Sequence, residues 1–96
     1  MRIEIDTEKY IVLKDGERLE LPLKEFELLH LLSITPGKVY SRKQIYNILW
    51  GENSQSKERT VDVHISHLRK KIDKNIIRNI IGVGYKLTVE SITIKN

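Results

Sequence analysis

The stretch of sequence that decides the fold reads Arg59-Thr60-Val61-Asp62-Val63-His64-Ile65-Ser66-His67-Leu68-Arg69-Lys70-Lys71-Ile72. Four of its apolar residues are separated by 4, 3 and 4 positions, the spacing of a buried stripe on an α-helix; they are Val61, Ile65, Leu68 and Ile72. We therefore predict a helix from about residue 58 to residue 73.

The face opposite this stripe is polar and basic, apart from one valine. A helix turns by about 100° per residue, which places on or beside that face Arg59, Thr60, Val63, His64, Ser66, His67, Lys70 and Lys71. Lys and Arg neutralise phosphates, Ser and Thr bind base edges or phosphate, and a valine can pack on a thymine methyl. The face indicates contact with the major groove of DNA, with an ordinary solvated surface as the alternative.

Two shorter helices precede this one. The first, predicted for about residues 23–35, has its apolar stripe at Phe26, Leu28, Leu29 and Leu32 and is ended by Thr35-Pro36-Gly37. The second, predicted for about residues 41–50, opens with a capping box between Ser41 and Gln44. Its inner face is expected to hold Ile45, Ile48 and Leu49, and Gly51 is placed to close it.

Strand patterns flank the helices on both sides. Residues 2–21 alternate polar and apolar side chains around Asp15-Gly16, a strong hairpin turn signal, and predict a small antiparallel sheet. Residues 76–89 are rich in β-forming residues around Gly82-Val83-Gly84 and predict a second hairpin. Together the elements predict a single α+β domain of 96 residues.

The charge is unevenly distributed along the chain. Its 96 residues carry a net charge of +4, but residues 1–37 hold five basic and eight acidic side chains, whereas residues 38–96 hold twelve and five. A basic part beside an acidic one indicates that the second part meets a polyanion. No apolar run is long enough to span a bilayer, and the start is not a signal peptide, so we expect a cytoplasmic domain with no membrane partner.

The sequence contains no recognisable catalytic or cofactor-binding motif. Gly82-Val83-Gly84 lacks the third glycine and the following helix of a phosphate-binding loop. His64 and His67 have a spacing that can hold a metal, but neither cysteine nor a suitable carboxylate accompanies them. We expect no enzyme activity, no metal and no cofactor. His30 is expected to be a partly buried helix residue, and the acids of the N-terminal sheet and first helix are expected at the surface.

Three motifs together resemble the winged-helix DNA-binding domains of OmpR/PhoB-type response regulators. Residues 59–72 resemble the recognition helix of that family, Gly82-Val83-Gly84-Tyr85 resembles its wing, and residues 38–45 with Leu49-Trp50-Gly51 resemble its second helix. The resemblance extends from residue 2 to about residue 88. It implies a winged helix-turn-helix with a four-stranded N-terminal sheet, three helices and a hairpin wing.

The resemblance also implies roles for individual residues. The residues facing DNA bases would be Thr60, Val63, His64, Ser66, His67 and Lys70. The contacts to the DNA backbone would be Arg42, Trp50, Arg59, Lys71 and Tyr85. Independently of the resemblance, Arg78, Asn79 and Lys86 lie on the predicted hairpin and could reach the backbone or minor groove, with a plain sheet edge as the alternative; the resemblance adds Ile81 to this wing. The loop that can touch RNA polymerase would be Glu52, Asn53, Ser54, Gln55, Ser56 and Lys57.

The family context implies partners beyond this chain. Such domains follow a phosphorylatable receiver domain, controlled by a sensor kinase, and bind direct-repeat half-sites of double-stranded DNA in pairs. No receiver lies within the 96 residues, so we expect a fragment that is monomeric in isolation. A winged-helix module that binds a protein, with weak or no DNA binding, is the alternative function.

Three departures from the family pattern bear on function. The family often has arginine at the positions of Ser66 and His67, and an arginine that enters the minor groove at the position of Ile81. Leu21-Pro22-Leu23 stands where the first helix usually has a threonine cap. The interface is therefore expected to be less basic than its relatives' and to depend more on shape and apolar contact. The tail, residues 90–96, has no assignment from the resemblance.

Overall fold

A computed structural model describes residues 1–51, 57–88 and 92–95. Within these residues the elements follow one another as β1 (Ile3–Asp6), β2 (Ile11–Lys14), β3 (Glu17–Leu19), α1 (Leu23–Ile34), α2 (Arg42–Trp50), α3 (Arg59–Lys71), β4 (Ile77–Ile80), β5 (Gly84–Leu87) and β6 (Ile92–Lys95). The α+β arrangement is confirmed, and the helix bounds differ from the predicted ones by one or two residues. No helix in the described ranges has both the length and the hydrophobicity needed to cross a bilayer.

The N-terminal sheet has the strand order β3-β2-β1-β6. β2 pairs antiparallel with β1 and β3, and the predicted Asp15-Gly16 turn joins β2 to β3 with φ of 48° and 86°. The fourth strand differs from the expected N-terminal one, because β6 comes from the tail and pairs parallel to β1, with Ile3 opposite Ile92. Alternation in β6 puts Ile92 and Ile94 beside the buried Ile3 and Ile5, which explains why the tail adds to this edge.

One hydrophobic core lies between the sheet and the helices. All four stripe residues of α3 are buried, as are the four of α1, which confirms both helical patterns: Val61, Ile65, Leu68, Ile72, Phe26, Leu28, Leu29 and Leu32. α1 contacts α2, α3, β5 and β6, so it is the central helix. The opposite faces of α2 and α3 are left to solvent.

α2 begins and ends as the sequence predicts, but one of its core positions is wrong. Ser41 Oγ accepts from Gln44 N at 3.0 Å and Gln44 Oε1 accepts from Ser41 N at 2.8 Å, which completes the capping box. Ile48, expected on the inner face, is 55% exposed. Tyr46 is buried instead, so the buried side of the helix runs from Ile45 and Leu49 toward Tyr46 and away from Ile48.

The second hairpin is tied to the start of α2 by its own backbone. β4 pairs antiparallel with β5, with residues 81–83 as the turn, and Tyr40 and Tyr85 exchange two N–H to O=C bonds of 2.9 Å. Gly84 lies at this crossing with φ of 155°, and a Cβ there would overlap the Tyr40 carbonyl. Only glycine lets the hairpin approach so closely, which fixes its position beside the helices.

We predict that Gly84→Ala lowers the free energy of unfolding by more than about 3 kcal/mol, because the clash with backbone is added to the strained φ. Gly82→Ala is the matched control. Its φ is 79° and nothing lies within 4 Å of its Cβ position, so only the left-handed conformation costs energy, about 1 kcal/mol. Urea unfolding of both variants measures the difference; equal losses would contradict this account of the crossing.

Candidate nucleic-acid interface

The exposed face of α3 carries the residues predicted to face DNA. Val63 is 50% exposed, and Arg59, His67, Lys70 and Lys71 are exposed as well. Thr60, His64 and Ser66 are half-buried on the same side. The structure thus brings the predicted residues of this helix onto one surface, while their individual roles stay predictions.

Two of these side chains are held by a buried acid on α1. Glu25 is only 3% exposed; Lys71 Nζ donates to its Oε1 at 2.7 Å, and its Oε2 lies 3.1 Å from His67 Nδ1. The expectation that acids of the first helix lie at the surface is wrong here. Removing a partner from a buried charge costs several kcal/mol, so this cluster orients the end of α3 rather than leaving it a freely solvated face.

The position of Glu25 follows from the sequence around it. Glu25 precedes Leu29 and Leu32 by four and seven residues, which is the spacing of the buried stripe itself. α1 has Pro22 as its N-cap residue, and proline has no N–H for a reciprocal capping bond. The carboxylate at the third helical position is therefore free to face α3. The sequence did contain a signal for this site residue, because Glu25 is an acid at a position of the buried apolar stripe. Glu25 was nevertheless not among the predicted site residues.

A second acid connects α3 to α2 and the wing. Asp62 Oδ1 accepts from the Tyr85 hydroxyl at 2.7 Å, and its Oδ2 lies 2.9 Å from the Arg42 guanidinium. Burial raises the pKa of the Tyr85 hydroxyl above its ordinary value of 10.0, and the hydrogen bond to Asp62 adds to this. Arg42 and Tyr85 were predicted to contact DNA backbone. In this structure both are engaged with Asp62, and the Tyr85 ring is buried.

The predicted contact residue Trp50 lies where α2 meets α3. Its ring stacks on Tyr46 at 5.1 Å and meets the His64 ring edge-on at 5.2 Å, and the Lys24 ammonium lies 5.6 Å from its centre. His64 Nδ1 is 2.7 Å from the Thr60 carbonyl oxygen. The packing against Trp50 and the contact with the Thr60 carbonyl therefore orient the His64 ring, although His64 is half-exposed. His30 is half-buried and stacks on Phe26, as expected.

The wing tip is apolar and strongly exposed. Ile81 is 90% exposed, and Val83, two residues further on, is also exposed. Arg78 and Asn79 lie at the surface, and Lys86 is half-buried. A cleft of about 410 Å³ separates the tip from the start of α2 and is lined in part by Arg42 and Lys43. The tip thus presents apolar side chains with cations beside them.

Some predictions fall outside what the structure describes. The predicted polymerase-facing residues Glu52, Asn53, Ser54, Gln55 and Ser56 lie outside the described residues, and Lys57 is exposed. In residues 1–51, 57–88 and 92–95, no three His, Cys, Asp or Glu side chains come together as metal ligands would.

Comparison with known proteins gives a consistent answer. A family model described as "Transcriptional regulatory protein, C terminal" matches residues 16–87. The transcriptional regulatory protein SrrA of Staphylococcus aureus is 38% identical over 95 residues, which cover 93% of this chain and 39% of SrrA. The chain therefore spans about two fifths of the length of this curated relative.

Solved structures share the fold. The DNA-binding domain of the response regulator AdeR, solved in complex with an intercistronic region, is 37% identical with a TM-score of 0.80, covering 91% of this chain and 94% of that one. The response regulator DrrB of Thermotoga maritima, described as an OmpR/PhoB homologue, is 36% identical with a TM-score of 0.79, covering 88% of this chain and 41% of DrrB. The winged-helix architecture that the sequence indicated is thereby confirmed.

The Tyr85–Asp62 contact predicts a pH-dependent effect of Tyr85→Phe. Near neutral pH the variant loses one charge-assisted hydrogen bond and about 1–2 kcal/mol of unfolding free energy. Because the pKa of Tyr85 is raised in the folded protein, the stability it contributes is fully present below about pH 10 and lost as the pH rises through the raised pKa. The difference in unfolding free energy between wild type and variant should therefore stay constant up to about pH 9 and narrow only as the pH rises above about 10.

Denaturant unfolding at several pH values in this range measures the narrowing. Tyr10→Phe is the control, since Tyr10 is exposed, and its small difference from wild type should stay constant. A Tyr85→Phe difference that stays constant or grows with pH would contradict the assigned bond.

Proposed function

The chain belongs to the family of C-terminal domains of transcriptional regulatory proteins, the OmpR/PhoB-type DNA-binding domains, and on this premise we propose that it binds double-stranded DNA sequence-specifically as the effector domain of a two-component response regulator. The single observation that carries this proposal is the exposed face of α3. It combines cations, imidazoles, hydroxyls and Val63 on one side of a helix whose other side is core.

The dimensions of α3 suit the major groove. Its 13 residues span about 20 Å, and the groove is about 12 Å wide, which admits one α-helix. On this proposal, base edges meet Thr60, Val63, His64, Ser66, His67 and Lys70. Arg59 and Lys71, at the two ends of the helix, would neutralise phosphates on either side of the groove. Arg42, Trp50 and Tyr85 would lie near the backbone.

The wing would bind by shape rather than by charge insertion. Ile81 stands where the family often has arginine, and it is almost fully exposed. A branched apolar side chain can pack in a minor groove, whereas it cannot supply the charge that draws arginine there. Arg78 and Lys86 on the flanking strands would supply the phosphate contacts, with Asn79 beside them.

The wider assembly is proposed from the family. The 96 residues would form one winged-helix domain of a longer cytoplasmic protein, joined to a receiver domain and controlled by a sensor kinase. Two such domains would bind direct-repeat half-sites, while the isolated domain is monomeric, and residues 52–57 would contact RNA polymerase. The family is a class of transcription regulators rather than of enzymes, and we propose that the domain catalyses no reaction.

The alternative of a protein-binding module without DNA binding is not favoured. The similar AdeR domain was solved on DNA, and α3 here keeps a cationic exposed face. Failure to bind any duplex, even at low salt, would revive that alternative.

We predict that Val63→Ala and Arg59→Ala affect binding in different ways. Sites are first selected from a randomised duplex library. Arg59→Ala should weaken binding to all duplexes alike and reduce the slope of log affinity against log salt by about 1, the loss of one phosphate contact. Val63→Ala should instead change preference at one base pair.

Replacing thymine by uracil in the selected site separates the two effects. At the position facing Val63, loss of the thymine methyl should cost the wild type about fivefold in affinity and Val63→Ala almost nothing. Equal losses for wild type and Val63→Ala at every thymine, or a uniform effect of Val63→Ala on all duplexes, would overturn the assigned role.

A further inference from the structure

We propose that Glu25 fixes the tautomer of His67, so that the exposed ring nitrogen of His67 accepts a hydrogen bond from the exocyclic amino group of adenine or cytosine. The inference rests on the proposed DNA-binding function and specifies which chemical group of a DNA base His67 would recognise. Glu25 itself touches no DNA; it is a positioning residue that acts through His67.

The contact that carries the inference joins the core to the exposed face. Glu25 is buried on α1, and the Nδ1 side of the His67 ring faces its Oε2 at 3.1 Å. The His67 side chain as a whole is 46% exposed. No described residue makes a hydrogen bond to His67 Nε2, so this nitrogen is left for an external partner.

The protonation of the ring follows from the chemistry of its neighbour. Lys71 donates to Oε1 of the same carboxylate, and an ionised carboxylate can only accept hydrogen bonds. The proton between Glu25 and His67 must therefore lie on Nδ1. At about pH 8, where an ordinary imidazole is neutral, only one ring nitrogen carries a proton, so Nε2 is an acceptor at that pH.

Other groups around the ring leave this arrangement intact. The His64 ring lies 6.3 Å away on the same helix, and its own Nδ1 faces the Thr60 carbonyl, which also can only accept. Lys24, the single lysine or arginine of α1, is engaged with Glu27 and the Leu49 carbonyl. Both histidines of α3 are thus held with Nδ1–H inward.

An outward acceptor changes what the helix can read. The major-groove edges of adenine and cytosine each present an amino group that donates, whereas guanine presents only acceptors there. An arginine side chain carries only donors and suits guanine. His67 held by Glu25 therefore favours the opposite kind of base edge, one that donates a hydrogen bond.

The tautomer is tested directly by long-range ¹H–¹⁵N correlation spectra of the histidine rings at about pH 8, where an ordinary imidazole is neutral. The wild type should show a protonated Nδ1 and a bare Nε2 at His67. Glu25→Met, which is similar in length and has no acceptor oxygen, should release the ring into a mixture of both tautomers. His64 is the internal reference and should not change.

Lys71→Met is the matched control for the tautomer. It removes the other partner of Glu25 and leaves the Glu25–His67 contact, so the Nδ1–H form should persist. A bare Nδ1 in the wild type, or the same mixture in Glu25→Met and Lys71→Met, would overturn the proposal.

Base reading is tested by selection from a randomised duplex library, followed by competition between single-base variants of the selected site. The wild type should prefer adenine or cytosine at one position by about tenfold. His67→Ala and Glu25→Met should each lose this discrimination, and the double variant should lose no more than either alone. Deleting the acidic Glu25 is expected to raise affinity for all duplexes alike. This uniform gain cancels when discrimination is taken as the ratio of affinities for two duplexes measured with the same variant.

The outcomes separate this inference from the proposed function. A wild type that selects a sequence, with discrimination unchanged in Glu25→Met or with additive losses in the double variant, overturns the inference alone. Should Glu25→Met fail to fold, the wild-type tautomer of His67 and the loss of discrimination in His67→Ala decide the question together, because His67 is 46% exposed and its truncation leaves the core intact. A wild type that selects no sequence overturns the proposed function and base reading with it.

Discussion

The burial of one stripe of α3 is the constraint on which the rest of the molecule depends. Val61, Ile65, Leu68 and Ile72 are almost completely removed from solvent, each contributing about 1.5–3 kcal/mol to folding. A helix that buries this stripe has no freedom to rotate, since any turn about its axis would expose apolar side chains. The polar and basic residues between the stripe positions are thereby forced outward as a single surface, next to the wing.

The apolar stripe sets the rotation of α3, and two acids then orient individual side chains around it. Asp62 holds Arg42 and Tyr85 and so connects α3 to α2 and the wing, while Glu25 holds Lys71 and His67 from within the core. Glu25 is buried in the core, whereas Asp62 is half-buried beside the outward surface. Together they orient several side chains before any ligand arrives, which reduces the conformational entropy lost on binding. A surface prepared in this way suits recognition of defined base edges better than a loose cationic patch would.

The sequence predicted the features that depend on local pattern. The stripes of α1 and α3, the Ser41 capping box and the Asp15-Gly16 turn each follow from spacing within a few residues, and the structure confirms them. The spacing of residues on α3 likewise predicted that the candidate DNA-contacting side chains share one face, as they do in the structure. Ile48 was misplaced because the buried arc of α2 runs through Ile45, Leu49 and Tyr46, and Ile48 lies on the other side of Ile45.

Features that join distant parts of the chain could not be read in the same way. β6 pairs with β1, although almost the whole sequence separates the two strands. The sequence of residues 92–95 does not indicate which strand β6 pairs with. The Tyr85–Asp62 bond likewise depends on how the hairpin crosses Tyr40. Glu25 is a partial exception, because its place in an apolar stripe can be read from the sequence. Its partners on α3 cannot, because they depend on the angle at which α1 and α3 pack.

In the proposed mode of binding, α3 and the wing form the DNA-binding surface and the sheet takes no part. Backbone amide chemical shifts, followed as a selected duplex is added, distinguish these surfaces. We expect the shift changes to concentrate at the exposed positions of residues 59–71 and at 78–86, with residues 3–14 and 92–95 unchanged. Changes centred on the sheet, with α3 unaffected at saturating duplex, would contradict this mode of binding.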